Sequence, residues 1–136
     1  MKTKTLYRPV GLREMELIAE SNYQKFPPRL NWQPIFYPVL DQKYAEQIAK
    51  GWNTPDEFSG FCGIVTAFEI NEEYLQQFEI QNVGNHSHNE LWIPSEELDQ
   101  FNKNIVGNIK IVNAYFGEGF KLSDDENLNS KFEKFM

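Results

Sequence analysis

The order of apolar and polar residues divides the chain into short strands that alternate with short helices. Apolar residues at every second position indicate strands, whereas apolar residues three or four positions apart indicate helices. The predicted strands are residues 5–10, 35–37, 61–70, 80–83, 90–93 and 105–116. The predicted helices are residues 12–21, 42–50, 72–78 and 95–103, with a further short helix near the C-terminus.

The longest apolar run, residues 61–70, is nearly continuous, which is typical of a strand that is buried on both faces. The other strands are shorter, and several of them end at a proline. Asp41, Asn71 and Ser95 each precede a helix, and their short polar side chains predict N-caps there. We therefore predict an α+β fold with a split, mostly antiparallel β-sheet.

The composition supports a packed core and restricts the partners. Of the 136 residues, 40% are hydrophobic and 15% are aromatic, so we expect one domain over residues 1–116 and a C-terminal tail, residues 117–136. The net charge of −7 disfavours general binding to nucleic acids, because lysine and arginine supply most of the affinity for phosphate backbones. No apolar run is long enough to cross a membrane, and we expect a cytoplasmic location.

The chain has only two histidines, His86 and His88, and both precede Glu90 at alternating positions. If these three residues share one extended run, their side chains point to the same face and could bind a metal ion with one open position. The single cysteine, Cys62, lies in the apolar strand and is predicted to be a core residue. A metal-dependent enzyme is therefore one interpretation. Neither histidine has a cysteine or a further histidine nearby to complete a closed metal shell, so we expect no tightly bound metal.

A second set of candidate residues comes from three separate strands: Arg8, Tyr37 and Glu90. A guanidinium can hold a phosphate or a ribose, and an aromatic ring can stack on a base or on nicotinamide. A carboxylate can hydrogen-bond to sugar hydroxyls and stabilise positive charge that develops on the sugar. Glu90 is expected to be exposed on its short strand and to contribute little to stability.

The order of these residues resembles the three motifs of ADP-ribosyltransferase-like folds. An early strand with Leu6-Tyr7-Arg8 resembles the first motif, and Ile35-Phe36-Tyr37, followed by an alanine-bearing helix, resembles the second. Glu90-Leu91-Trp92-Ile93-Pro94 resembles the third motif, the strand that carries the catalytic glutamate. The chain is also similar, over about residues 5–116, to a small bacterial family labelled ADP-ribosylation/crystallin J1. Residues 6–11, 26–30, 33–40 and 92–98 carry that similarity.

The resemblance implies an enzyme that binds NAD and transfers ADP-ribose to an acceptor. In that case Glu90 is catalytic, and Arg8 and Tyr37 bind the cofactor. His88 is expected on the acceptor side, at a position where arginine-modifying members carry Glu or Gln, and Arg29 with Trp32 is expected to form a lid. The resemblance does not imply which acceptor is modified: a protein stays open as acceptor or partner, and a nucleic acid, which the acidic charge disfavours, is not excluded as acceptor. The alternative is an acidic protein that binds a partner, as an inhibitor or immunity protein does, without catalysis.

Overall fold

The computed structural model describes residues 1–136 and contains seven strands and five α-helices. The strands are β1 (Thr3–Val10), β2 (Ile35–Phe36), β3 (Cys62–Asn71), β4 (Ile80–Asn82), β5 (Asn89–Leu91), β6 (Ile93–Pro94) and β7 (Ile105–Phe116). The helices are α1 (Leu12–Glu20), α2 (Gln42–Ile48), α3 (Glu72–Leu75), α4 (Leu98–Lys103) and α5 (Glu126–Phe132). The α+β class predicted from the sequence is confirmed.

Every strand pair in the structure is antiparallel. The three long strands form the centre in the order β1–β3–β7, and the short strands pair as β2 with β6 and β4 with β5. Val39 joins the two parts of the sheet, since it pairs with Tyr7 of β1 on one side and with Glu90 of β5 on the other. This single residue therefore brings the strand that carries Glu90 beside the strand that carries Arg8.

Strand β3 is the most buried strand, as its apolar sequence predicts. Seven consecutive residues from Cys62 to Phe68 are buried, because β1 and β7 flank the strand and helices cover it. Cys62 is fully buried, and burial raises the pKa of its thiol to about 12, which is consistent with a core residue. Most of the core lies in one cluster, and its largest members are Phe26, Phe36, Phe68, Phe101 and Phe132.

The C-terminal residues contribute to this core. Helix α5 begins after Asp125, whose side chain accepts a hydrogen bond from the Leu128 backbone N–H at 3.1 Å. Leu128 and Phe132 are fully buried in the main cluster, and Phe132 packs edge-on against Phe116 of β7. The predicted short C-terminal helix is thus present and docked on the sheet.

Two of the three predicted N-caps are confirmed. The side chain of Asp41 accepts hydrogen bonds from the first turn of α2, and that of Asn71 does so for α3. The prediction for Ser95 is wrong, because its side chain makes no capping bond and the residue itself begins a 3₁₀ turn that leads into α4. Pro94 was predicted to end the strand, but it belongs to β6, where it pairs with Ile35 on a sheet edge.

The helix predicted over residues 42–50 extends further: α2 ends at Ile48 and continues as a π-helical turn, Ala49–Asn53. The continuation follows from close packing on β3, where a Cβ on Gly63 would lie 2.5 Å from the backbone oxygen of Ala49. Because only glycine allows this approach, the turn stays against the sheet beyond the point at which the α-helix ends. π-Helical turns often lie at functional sites, and this one carries Trp52 and Asn53.

The Asp41 cap provides a test of how α2 is held. Replacing Asp41 by Ala is expected to lower the free energy of unfolding by about 1 kcal/mol, because the amides of Lys43 and Tyr44 lose their acceptor. Chemical denaturation would measure the change. The exposed Lys43→Ala variant in the same turn is the control and should stay within about 0.5 kcal/mol of the wild type. Equal stability of the two variants would contradict the capping role.

No helix combines the length and the apolar character that crossing a membrane requires.

Candidate functional site

A cleft consists of two adjoining cavities, and the C-terminal part of β1 lines one of them. The first, of about 450 Å³, lies between α1 and the loop that contains Pro27 and Pro28, and we call it the arginine end. The second, of about 620 Å³, lies beside α2 and β5, and we call it the carboxylate end. The two cavities adjoin, since four residues line both of them: Tyr37, Ile48, Asn53 and Asp56.

Arg8 lies at the arginine end because inward and outward positions alternate along β1. Its side chain is only 7% exposed and makes a bidentate ion pair with Glu14 in the first turn of α1, at 2.8 and 3.0 Å. The guanidinium carbon also lies 4.6 Å from the centre of the Phe36 ring and 5.6 Å from that of Tyr37. Although burial opposes the charge, the attraction of Glu14 wins and raises the pKa of Arg8.

Arg29 lies in the same cavity as Arg8 and shares its carboxylate. The nearest Arg29 nitrogen is 3.9 Å from Glu14, which is beyond hydrogen-bonding distance. Its Nε donates to the backbone oxygen of Ile35 at 3.2 Å, and its guanidinium carbon lies 6.0 Å from the centre of the Phe36 ring. Burial and the nearby charge of Arg8 lower the pKa of Arg29. The arginine end therefore holds two guanidinium groups beside one carboxylate.

Glu90 lies at the carboxylate end, held from two sides. Its Oε2 accepts a hydrogen bond of 2.5 Å from the Tyr44 hydroxyl, and its Oε1 accepts one of 2.9 Å from the Trp92 indole nitrogen. Burial, followed by the hydrogen bond to Glu90 and its charge, raises the pKa of Tyr44. Tyr44 thus remains a donor at neutral pH, and the carboxylate is fixed in one orientation.

The expectation that Glu90 is exposed is wrong, since the residue is only 8% exposed. The physical reason is that Val39 inserts between β1 and β5, which places Glu90 inside the sheet rather than at its edge. Buried carboxylates need hydrogen-bond donors, and α2 supplies one through Tyr44. From this burial we expect Glu90 to contribute to stability, which differs from the expectation from sequence.

The structure does not bring His86, His88 and Glu90 together as metal ligands. His86 lies in a turn before β5, so the three residues do not share one extended run. The His88 ring stacks on Tyr44, with ring centres 4.3 Å apart, and its Nε2 lies 3.0 Å from the side-chain oxygen of Gln47. No group of three or more His, Cys, Asp or Glu side chains is arranged to bind a metal ion. The metal-dependent interpretation lacks the geometry that it needs.

Four of the six candidate residues line the cleft: Arg8, Arg29, Tyr37 and Glu90. The other two lie beside it. His88 contacts the cleft residue Tyr44, and the exposed Trp32 packs edge-on against Phe58 of the arginine end, with ring centres 6.4 Å apart.

Sequence reasoning did not identify Glu14 and Tyr44 as parts of the site. Glu14 occupies an ordinary first-turn position of α1, where an acidic residue is favourable in any helix. Tyr44 occupies an apolar position of α2, and such a position is typical of a residue that only packs in the core. The sequence offered one indirect signal for both residues. Arg8 and Glu90 would each need a hydrogen-bond partner if they were buried, and Glu14 and Tyr44 are those partners.

Searches against protein-family models, curated proteins and solved structures gave no match for this chain. The protein is described by its own structure as an α+β domain with an antiparallel sheet. Its candidate site is a cleft with arginines at one end and a buried carboxylate at the other.

Proposed function

We propose that the cleft binds NAD and that the protein transfers ADP-ribose to an acceptor, in the manner of ADP-ribosyltransferase-like folds. The observation that supports this most is convergence. Arg8, Tyr37 and Glu90 come from three separate segments, yet Arg8 and Glu90 line two adjoining cavities and Tyr37 lines both of them. A protein that only binds a partner has no need for such convergence, whereas a catalytic site requires it.

The size and chemistry of the cleft suit a dinucleotide. Each cavity falls in the usual range for small-molecule sites, and the two meet at the half-exposed ring of Tyr37. The positive arginine end suits the phosphates, and the ring of Tyr37 can stack on a base or on nicotinamide. Glu90 at the opposite end is then positioned for the ribose that carries nicotinamide.

In the reaction, the bond between ribose and nicotinamide breaks, and its electron pair leaves with nicotinamide. A nucleophilic atom of the acceptor forms a bond to the same ribose carbon and releases its proton. Glu90 stabilises the positive charge that develops on the ribose, since its carboxylate is anchored by Tyr44 and Trp92 before the reaction begins. His88, which stacks on Tyr44, would border the side from which the acceptor approaches.

Titration with NAD by isothermal calorimetry, followed by chromatographic detection of free nicotinamide, tests this proposal. We expect saturable binding and slow release of nicotinamide by the wild type. The Tyr37→Ala variant should bind NAD about tenfold more weakly, because stacking on an aromatic ring contributes on the order of 1–3 kcal/mol. Tyr115→Ala removes a partly exposed tyrosine that does not line the cleft and is the control. Equal affinities of the two variants would contradict the placement of NAD against Tyr37.

A second candidate is the protein-binding domain without catalysis, and exposed aromatic residues favour it. Trp52 is 77% exposed, and Trp32 and Phe58 are also exposed beside the arginine end. Aromatic side chains of this kind are enriched in protein interfaces. If folded protein shows neither NAD binding at millimolar concentration nor nicotinamide release, this candidate replaces the first.

A further inference from the structure

Arg29 has more hydrogen-bond donors than the chain satisfies. A guanidinium carries five N–H groups, and only the one on Nε has a partner, the backbone oxygen of Ile35. The two terminal nitrogens make no hydrogen bond within the chain, because their nearest carboxylate, Glu14, is 3.9 Å away. Four donors on a single side chain are thus left without an acceptor.

These free donors face the cleft rather than bulk solvent. The Arg29 side chain is only 10% exposed and lines the arginine end. Only one fully buried side-chain polar atom, the Oδ1 of Asn53, has no hydrogen-bond partner. The terminal nitrogens of Arg29 also have no partner, so they are not fully buried and keep access to the cleft. An arginine side chain that is nine-tenths buried and has its terminal donors open to a cavity is arranged for a ligand with acceptor atoms.

The charge balance at this end favours an anion. Arg8 and Arg29 face one carboxylate, Glu14, whose two oxygens are both hydrogen-bonded to Arg8. The other acidic residue of the cavity, Asp56, accepts hydrogen bonds from the Ser59 hydroxyl at 2.7 Å and from the Phe58 backbone at 3.3 Å. Arg13 also lines the cavity, so three arginines and two carboxylates surround it and one positive charge is in excess, in a protein whose net charge is −7.

We propose that the arginine end is a binding site for a phosphate-type oxyanion and that Arg29, rather than Arg8, is its principal ligand. Arg8 is held in place by Glu14 and adds positive potential, while Arg29 supplies a fork of parallel N–H donors that matches phosphate oxygens. The first turn of α1 lines the same cavity with the positive end of its dipole. The site does not depend on ADP-ribose transfer and remains if the proposed activity fails.

The experiment is a calorimetric titration of the whole chain with inorganic pyrophosphate and, separately, with ADP. We expect saturable 1:1 binding of pyrophosphate by the wild type, weakened about tenfold or more in Arg29→Gln, because charge-assisted hydrogen bonds are lost. Lys25→Gln removes the same charge from an exposed position nearby that does not line the cavity, and it should bind within about twofold of the wild type. Arg29→Lys keeps the charge but not the fork, and its affinity should fall between the two.

Far-ultraviolet circular dichroism would confirm that each variant is folded before titration. Tighter binding of ADP than of pyrophosphate identifies a nucleotide as the source of the phosphate, and equal affinities identify a free oxyanion. Either result supports the site. Absence of saturable pyrophosphate binding by the wild type, or equal affinities of Arg29→Gln and Lys25→Gln, would overturn it. Neither outcome depends on nicotinamide release, so failure of this proposal is distinct from failure of the catalytic one.

Discussion

Replacing Glu90 by Gln is expected to reduce the rate of nicotinamide release from NAD by about a hundredfold or more. The substitution keeps the size of the side chain but removes the negative charge that faces the ribose in the proposed reaction. Loss of one preorganised group of this kind costs on the order of a hundredfold to a thousandfold in rate. Because the stabilised charge develops mainly in the transition state, the affinity for NAD should change far less than the rate.

The same substitution is also expected to lower the free energy of unfolding by about 1–2 kcal/mol. Two donors, the Tyr44 hydroxyl and the Trp92 indole, bind the two carboxylate oxygens. A glutamine offers only one oxygen, and the indole N–H cannot act as an acceptor for the new amide group. Rates must therefore be compared at a temperature at which both proteins are fully folded, and thermal melting would establish that temperature.

The chain contains a matched control for Glu90. Glu97 accepts a hydrogen bond of 2.9 Å from the Tyr74 hydroxyl, which reproduces the tyrosine–glutamate pair outside the cleft. Burial and the hydrogen bond to Glu97 raise the pKa of Tyr74, as the corresponding causes do for Tyr44. Glu97→Gln should leave nicotinamide release unchanged. If Glu90→Gln also leaves it unchanged while NAD still binds, Glu90 is not the catalytic residue.

Features that depend on neighbouring residues in sequence could be predicted without the structure. The apolar run of β3 indicates burial on both faces because it is nearly continuous over ten neighbouring residues. The Asp41 and Asn71 caps follow from side chains that reach amides only two or three positions away. The prediction for Ser95 is wrong even at this range, because the chain turns into a 3₁₀ helix after β6 and leaves no capping geometry.

The environment of Glu90 could not be predicted because it depends on distant segments. Tyr44 precedes Glu90 by 46 positions, and the two meet only because Val39 pairs with both β1 and β5. The sequence of a three-residue strand does not indicate which strands lie beside it. A glutamate in such a strand is therefore expected to be exposed. The burial of Glu90 is a property of the assembled sheet rather than of its own segment.

The surroundings of the arginines at the arginine end could not be predicted from the sequence for the same reason. Arg29 lies in an irregular loop, where no periodicity indicates which face is buried, and it was interpreted as part of a lid. Its position follows from the Nε hydrogen bond to Ile35 and from the Phe36 ring, both of which belong to the edge strand β2. Arg8 lines the cavity at the arginine end, but its partner Glu14 becomes evident only when α1 folds back on β1.

Replacing Glu14 by Gln is expected to lower the free energy of unfolding by about 3 kcal/mol, the lower end of the range for breaking a buried ion pair. The Arg8 side chain is almost fully buried and would lose the only carboxylate that binds it. The neighbouring charge of Arg29 increases the cost, since two guanidinium groups would then face each other without an anion. Urea denaturation would measure the change.

Glu20 offers a control for this substitution on the same helix. Its side chain is exposed and lies 3.7 Å from the exposed side chain of Arg13, so Glu20→Gln should change stability by less than about 0.5 kcal/mol. A similar loss in both variants would show that the change reflects the net charge of α1 rather than the buried pair.

Glu14→Gln should lower stability but strengthen ligand binding. This combination distinguishes an anion-binding site from an ion pair that only stabilises the fold. Removing the carboxylate leaves Arg8 and Arg29 without Glu14 as a partner, raises the excess positive charge of the cavity by one and frees the Arg8 donors for an anion. Pyrophosphate should therefore bind Glu14→Gln about tenfold more tightly than the wild type, and the bound anion should restore part of the lost stability. Calorimetry below the melting temperature would measure the affinity. A variant that is less stable and binds pyrophosphate no better would show that Glu14 stabilises the fold without shaping an anion site.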